Sequence, residues 1–181
     1  MAGASPAKGR RPFGCAQGRP GWVGDRGRVG IAPSPVPLPA PLLRLLQEGA
    51  PAILATTGAD GWPHLVMTWA AARDPEFVRF GADQGSITLA NLRREGKATL
   101  QIAGRDNLLC LIKGSAKVLK EHVEASPFPI AMVEMALTEV RDQSWPGVVV
   151  SPLAFQWTGP DALEAAAAER AILAEIRAWG P

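Results

Sequence analysis

The sequence predicts a mainly β domain of the α+β kind: a small antiparallel barrel of six to seven strands, with short flanking helices and a C-terminal helix. Three observations lead there. Apolar and polar residues alternate in several short segments, the period of a half-buried strand. Gly, Pro and Asp turn signals follow those segments closely, so most strands are joined as hairpins and not through crossover helices. Helical spacing is confined to three stretches, the last of them Ala-rich.

The ordered domain is expected to begin near Pro41. Leu42, Leu43, Leu45 and Leu46 give a short helix that Gly49 stops. Ala52 to Thr57 is a buried strand. Residues 58–61, GADG, form a hairpin turn, and Asp60-Gly61 tolerates positive φ there. The return strand runs from about His64 to Ala71, with Pro63 at its start, where a missing donor is harmless. Asp74-Pro75 marks the next turn.

Residues 77–102, FVRFGADQGSITLANLRREGKATLQI, read as strand, loop, helix, strand. Phe77 to Phe80 is a β-prone run, and Gly81 and Gly85 bracket a loop. Ser86 caps the helix through its hydroxyl. Leu89 and Leu92 face inward, and Gly96 ends the helix in a left-handed cap. Ala98, Leu100 and Ile102 then alternate with Thr99 and Gln101. Asn107 to Lys120 is a long strand, bent or bulged at Gly114. Ile130 to Arg141 alternates again, with Val133, Met135 and Leu137 on one face; a helix is the runner-up there. Val148 to Trp157 is read as a last strand, at an edge or bulge because of Pro152. Asp161 and Glu164 resemble a capping box for the final helix, whose apolar face is Ile172, Leu173, Ile176 and Trp179.

The chain has 181 residues, 47% of them hydrophobic, which suits one core better than two. Residues 1–40 form a basic Gly/Pro/Arg-rich segment, read as disordered, and residues 41–181 form the domain. Residues 1–34 carry a net charge of +5 and the remainder −3, so the domain has no basic stripe and nucleic-acid binding is not expected. No apolar run approaches a membrane span. Cys15 and Cys110 make no disulfide framework, and a reduced, cytoplasmic setting is expected, with Cys110 in the core.

Several chemistries lack support. His64 and His122 have no metal-ligand spacing, so no metal is expected. There is no nucleophile elbow, P-loop or dinucleotide fingerprint. Glu134 and Glu139 fall on opposite faces of one strand and read as solvated. Trp62 and Trp145 read as packing residues. No side chain is singled out as catalytic. What remains is the helix N-terminus at Ser86, with Thr88 and Asn91 in its first turns. Such a terminus offers free N–H groups and a partial positive charge to a phosphate. The strand Val66 to Trp69 runs alongside and could present its backbone to a flat ring.

The order of these elements, with GADG, then FVRFGADQGSITLANLRREGKATLQI, then LIKGSAKVL, resembles the pyridoxamine 5'-phosphate oxidase-like family of flavin-binding split barrels. The resemblance covers about residues 41–158. It implies a six-stranded antiparallel split barrel, a homodimer, FMN at the subunit interface and a small-molecule substrate for an oxidoreductase. Carried over residue by residue, Ser86 matches the phosphate-loop serine, Asn91 the family's Asn-Leu, and Ala82 lies in the small-residue strand end before it. Met67 and Thr68 fall on the strand whose backbone meets the flavin ring, and Gln101 on a strand that approaches the dimer mate. The chain departs from the pattern at two positions: Thr88 stands where lysine is usual and Val66 where arginine is usual. A charge-assisted contact is worth roughly 1.5–3 kcal/mol, so two fewer weaken a phosphate ligand by about two orders of magnitude or more. The alternatives are a deazaflavin- or haem-binding relative, and a non-catalytic barrel that has lost its flavin.

Overall fold

The computed structural model describes residues 36–180. Six strands and three helices follow in the order α1 (Ala40–Glu48), β1 (Ala50–Thr57), β2 (Pro63–Ala71), β3 (Phe77–Asp83), α2 (Ile87–Glu95), β4 (Lys97–Ala103), β5 (Leu109–Lys120), β6 (Ile130–Asp142) and α3 (Ala162–Ala178). The strands close into an antiparallel barrel in the order β1-β2-β3-β6-β5-β4. It is a split barrel: β1 and β2 pair along their whole length, but β2 and β3 share only Ala70↔Phe80 and Ala71↔Arg79.

The alternation read from the sequence sets the inside of the barrel. Leu54, Phe80, Leu100, Ile112, Met135 and Leu137 are all fully or almost fully buried there. Burying each such side chain contributes roughly 1.5–3 kcal/mol. Leu42 and Leu46 of α1 join this core, and Gly49 at φ 89° ends the helix as expected. The 58–61 hairpin closes with Gly58 N donating to Trp62 O, and Gly61 takes φ 83°.

β6 is a strand, not the helix held as runner-up, and it is buried on both faces from Ile130 to Met135. Val133, Met135 and Leu137 point into the barrel core. Ile130 and Met132 point the other way, into a second cluster with Val123, Ile172, Leu173 and Ile176 beneath α3. Gly114 sits at a register shift of β5 against β6. A Cβ there would lie 2.2 Å from Ala136 O, so the close approach of the two backbones requires glycine.

Four expectations are corrected. First, packed chain starts before residue 41: Val36 N donates to Leu137 O, Leu38 N donates to Pro75 O, and Leu38 is buried. Residues 1–35, including Cys15, lie outside the described residues. Second, Val148 to Trp157 is not a strand. β4, to which Leu153 N donates, is already paired to β1 and β5 and has no free edge to offer it. Residues 148–157 instead run as isolated extended chain, tied by Val150 N to Asn107 Oδ1 and by Leu153 N to Ala103 O. Third, Asp161 stands at the N-cap of α3 but its side chain makes no capping bond. Fourth, Glu134 is not solvated: it is buried and bonded to Arg79.

Candidate functional site

The short β2–β3 ladder opens a cleft. From Pro63 to Trp69 the edge of β2 that turns from β1 has no partner strand. In that gap lies a pocket of about 700 Å³, open to solvent on one side, a size that suits a drug-sized or cofactor-sized ligand. β2 supplies His64, Val66, Met67, Thr68 and Trp69. β3 supplies Gly81, Ala82 and Asp83, and the loop into α2 supplies Ser86, Ile87 and Thr88. Phe128 to Ile130, Trp157 and Ile172 close the far wall.

Each wall has a local cause. Ser86 takes an extended backbone and its Oγ accepts from Leu89 N at 3.1 Å, which starts α2 in place. The first backbone bond of the helix is Ala90 N to Ser86 O. The N–H groups of Ile87 and Thr88 precede it and have no acceptor within the helix. They stand at the pocket together with the positive end of the helix dipole. Gly96 ends α2 at φ 60°, ψ 27°, and Leu89 and Leu92 anchor its inner face. Thr68 Oγ1 donates to Gly81 O at 2.8 Å and so bridges the split where the ladder has ended.

Five of the seven residues expected at a cofactor line this pocket: Met67, Thr68, Ala82, Ser86 and Thr88. Two do not. Asn91 is 2% exposed and its Nδ2 donates to Thr56 Oγ1 at 3.1 Å, so it ties α2 to β1 from inside the barrel. Gln101 lies on the outer side of β4, where Nε2 donates to Gln143 Oε1 at 2.8 Å. Val66, in place of a basic residue, is half-buried and packs against the core. Thr88 is 4% exposed, and its Oγ1 lies 3.1 Å from His64 Nε2.

No lysine or arginine lines the pocket among the described residues. Arg93 is held by Glu121 at 2.6 Å, Arg94 by Glu95 at 3.0 Å, and Lys113 by Glu139 at 3.1 Å. The pocket's titratable groups are His64 and Asp83. No cluster of three or more His, Cys, Asp or Glu able to hold a metal ion occurs among the described residues. Cys110 is buried in the core, and burial together with the nearby Asp142 raises its pKa, so it stays a thiol.

The sequence reading missed the far wall. Trp69, Phe155 and Trp157 pack as an aromatic cluster, with Trp69 and Phe155 centroids 5.8 Å apart. This folds residues 153–157 back over the cleft. Phe128, between two prolines, is 66% exposed at the rim. The prolines were a legible signal that this side chain is held out of the core; the return of Trp157 had none.

A second cavity of about 700 Å³ lies among α1, the β4–β5 turn and residues 142–153, with Arg44, Glu48, Arg105 and Asp142 in its wall. It brings together none of the expected site residues.

Comparison with known proteins agrees with this geometry. No curated protein matches the chain. Solved structures do. A candidate pyridoxamine 5'-phosphate oxidase from Lactobacillus delbrueckii is 21% identical, with a TM-score of 0.49 over 58% of this chain and 93% of that one. An F420 reductase is 17% identical, with a TM-score of 0.51 over 59% of this chain and 100% of that one. A variant of HupZ from Group A Streptococcus is 17% identical, with a TM-score of 0.49 over 58% and 98%. At 17% identity the likeness to the F420 reductase speaks for the fold alone. The pattern of the family described as pyridoxamine 5'-phosphate oxidase matches residues 39–147, from α1 through β6, which is more than half of the chain and holds both sides of the cleft. The chain therefore belongs to the pyridoxamine 5'-phosphate oxidase-like family of split barrels.

Proposed function

We propose that the protein is a flavin-dependent oxidoreductase that binds FMN in the β2–β3 cleft and works as a homodimer in the cytoplasm on a small-molecule substrate. One observation carries the proposal: an unpaired β2 edge and the N-terminus of α2 face the same pocket. The edge offers backbone donors and acceptors to the polar rim of a flat heterocycle. The helix N-terminus, with Ser86, offers N–H and O–H groups to a phosphate. Both features are set by backbone, so they survive the absence of basic side chains.

A bound flavin would supply the hydride or electron transfer. The chain's own residues bind, orient and exclude water. Met67, Trp69, Ile87, Trp157 and Ile172 line the pocket. Their apolar surfaces exclude water from the ring. No acid or base is placed at the ring by these residues, so the substrate's own reactivity and the flavin carry the chemistry.

The dimer is argued from the outer face. Trp62 in the hairpin and Leu65 and Met67 on β2 are 74%, 60% and 53% exposed. Leu65 and Met67 stand opposite Ala55 and Ile53 of β1, which in turn adjoin Thr99 and Gln101 of β4. An apolar patch of this kind beside a cleft marks an interface. Light scattering at micromolar concentration is expected to give twice the monomer mass; a monomer would remove this part of the proposal.

The test of the cofactor is direct. The untagged protein is expected to be yellow, or to bind added FMN one to one with a shifted absorbance band. Competition between FMN and a deazaflavin decides which ring the cleft prefers. Absence of binding by either at high concentration defeats the proposal and leaves a barrel without cofactor.

A further inference from the structure

Among the described residues the pocket has no permanent cation, yet its end at the N-terminus of α2 holds one group that becomes a cation on protonation. His64 lies on β2 and Thr88 in the first turn of α2, and the two side chains meet across the mouth of the cleft at 3.1 Å. The direction of their hydrogen bond depends on the ring. When Nε2 is bare, the Thr88 hydroxyl must donate to it, and its hydrogen is used up. When the ring is protonated, both nitrogens donate. Nε2–H then gives its hydrogen to Oγ1, and the Thr88 hydrogen is free for another acceptor. The remaining tautomer also frees the hydroxyl but brings no charge.

We propose that His64 and Thr88 together read the anionic group of the ligand in this pocket, with protonated His64 as the cation and Thr88 as the hydroxyl donor it directs. This rests on the flavin reading of the cleft and goes further: it makes affinity for the phosphorylated cofactor depend on protonation of one histidine. The surroundings leave that histidine the main variable. β1 presents Thr56 opposite it in register. From α2, Arg94 is turned to Thr57 O and Glu95, and Arg93 to Glu121. Asp60 in the hairpin accepts from Trp62 N. Asp83 at the end of β3 is exposed, and the far wall brings no titratable group. Asp83 is the one acidic group among the described residues that line the pocket, and it is common to the parent and every His64 variant.

The experiment measures Kd for FMN and for riboflavin, which lacks the phosphate, across the range where histidine titrates. It uses the full-length protein, H64Q, H64K and T88V, each checked for an unchanged circular dichroism spectrum. FMN gains its own second charge near pH 6, which strengthens binding as pH rises; H64Q shares that effect, so the ratio of the two proteins isolates His64. Relative to H64Q, FMN is expected to bind about tenfold more weakly at pH 8 than at about pH 5.5. H64K is expected to bind FMN tightly with no such slope, T88V to weaken FMN at low pH, and riboflavin to ignore all three changes. If flavin binds but H64Q keeps the slope of the parent, or riboflavin shows the same His64 dependence, the pair does not read the phosphate and the inference fails alone. If neither FMN nor riboflavin binds at any pH, the flavin reading fails first and takes this inference with it.

Discussion

Between β5 and β6 the ladder runs from Cys110↔Asp142 to Lys120↔Met132. Between β2 and β3 it is two pairs long. Both seams must hold, because each closes the same barrel, but they hold by different means. The long seam is a backbone structure: one long run of paired residues, two register shifts, and one glycine where the chains come too close for a Cβ. The short seam relies on α3, which packs against both β2 and β3, and on side chains that hold α3 and the split in place. Arg79, whose backbone makes the last β2–β3 pair, donates from Nε and Nη2 to Glu134 Oε2 and from Nη1 to the carbonyls of Ile176 and Trp179 at the end of α3. Thr68 bridges to Gly81 O further along. The opening that makes the pocket thus gives up ladder bonds, and a buried arginine together with a C-terminal helix offsets the loss.

The difference is sharpest at Arg79. R79M leaves Glu134 buried with only Lys117 at 3.5 Å, and leaves two helix-end carbonyls without their donor. Breaking a buried pair from one side costs roughly 3–5 kcal/mol. The expected result is a large fall in the urea midpoint and a raised FMN Kd, since α3 carries Ile172 in the pocket wall. If flavin affinity is unchanged in a folded R79M, α3 does not shape the site. On the long seam, G114A forces a methyl against Ala136 O and Met135 Cγ. Overpacking of this kind costs about 3 kcal/mol. Denaturation should show that loss, while FMN affinity measured on the remaining folded protein stays near the parent value, because Gly114 does not line the pocket. The two variants together separate barrel stability from site integrity.

The long seam was legible in the sequence and the short one was not, for a physical reason. Strand period, the Asp60-Gly61 turn, the Ser86 cap and the Gly114 bulge are local, and each is written in neighbouring residues. Five of the seven expected site residues follow from those local elements. Arg79, Glu134 and α3 meet across 55 and about 100 residues of sequence, and nothing near Arg79 announces a helix end. The same holds for Val148 to Trp157. It has strand composition, yet whether a strand forms depends on a free edge where the segment comes to lie, and β4, which it meets at Ala103, is already paired on both sides. Asn91 illustrates the converse error: it lies in the right helix, but Thr56 across the barrel claims its amide.

Smaller changes test the cleft itself. S86A removes the cap of α2 and is expected to cost about 1 kcal/mol of stability. It should also weaken FMN more than riboflavin if the cleft is filled as proposed, with the phosphate at the N-terminus of α2. T68V removes the donor to Gly81 O and leaves that carbonyl short of a partner, at a cost of about 1 kcal/mol or less. Hydrogen exchange should then quicken in residues 66–69 and 79–82 and not in β5 or β6. Equal quickening on both seams would mean that the split has no separate fastening.

The gentlest probe is pH. Glu175 of α3 accepts from Lys120 Nζ at 2.7 Å and from the backbone N–H groups of Glu124 and Ala125. Burial pushes its pKa up, but the Lys120 hydrogen bond and the two N–H donors outweigh that and bring it below the ordinary 4.5. A carboxyl held below its unfolded value stabilises the fold above that value, and the contribution is lost as pH falls through the folded pKa. Lys120 is shifted up, chiefly by the same hydrogen bond, so its share is present at all pH below 10.5 and fades only above it. Near neutrality both are intact, and acid removes Glu175's part alone, from about pH 4.5 downward. α3 should therefore loosen on the short seam before the barrel melts. The fluorescence of Trp179, whose ring lies 4.4 Å from Lys120 Nζ, is expected to change at a higher pH than the far-ultraviolet β signal, and E175Q should abolish that early step while leaving the later one. Coincident transitions in the parent protein would show that helix and barrel unfold as one unit, and that the side-chain fastening of the short seam is as cooperative as the ladder opposite it.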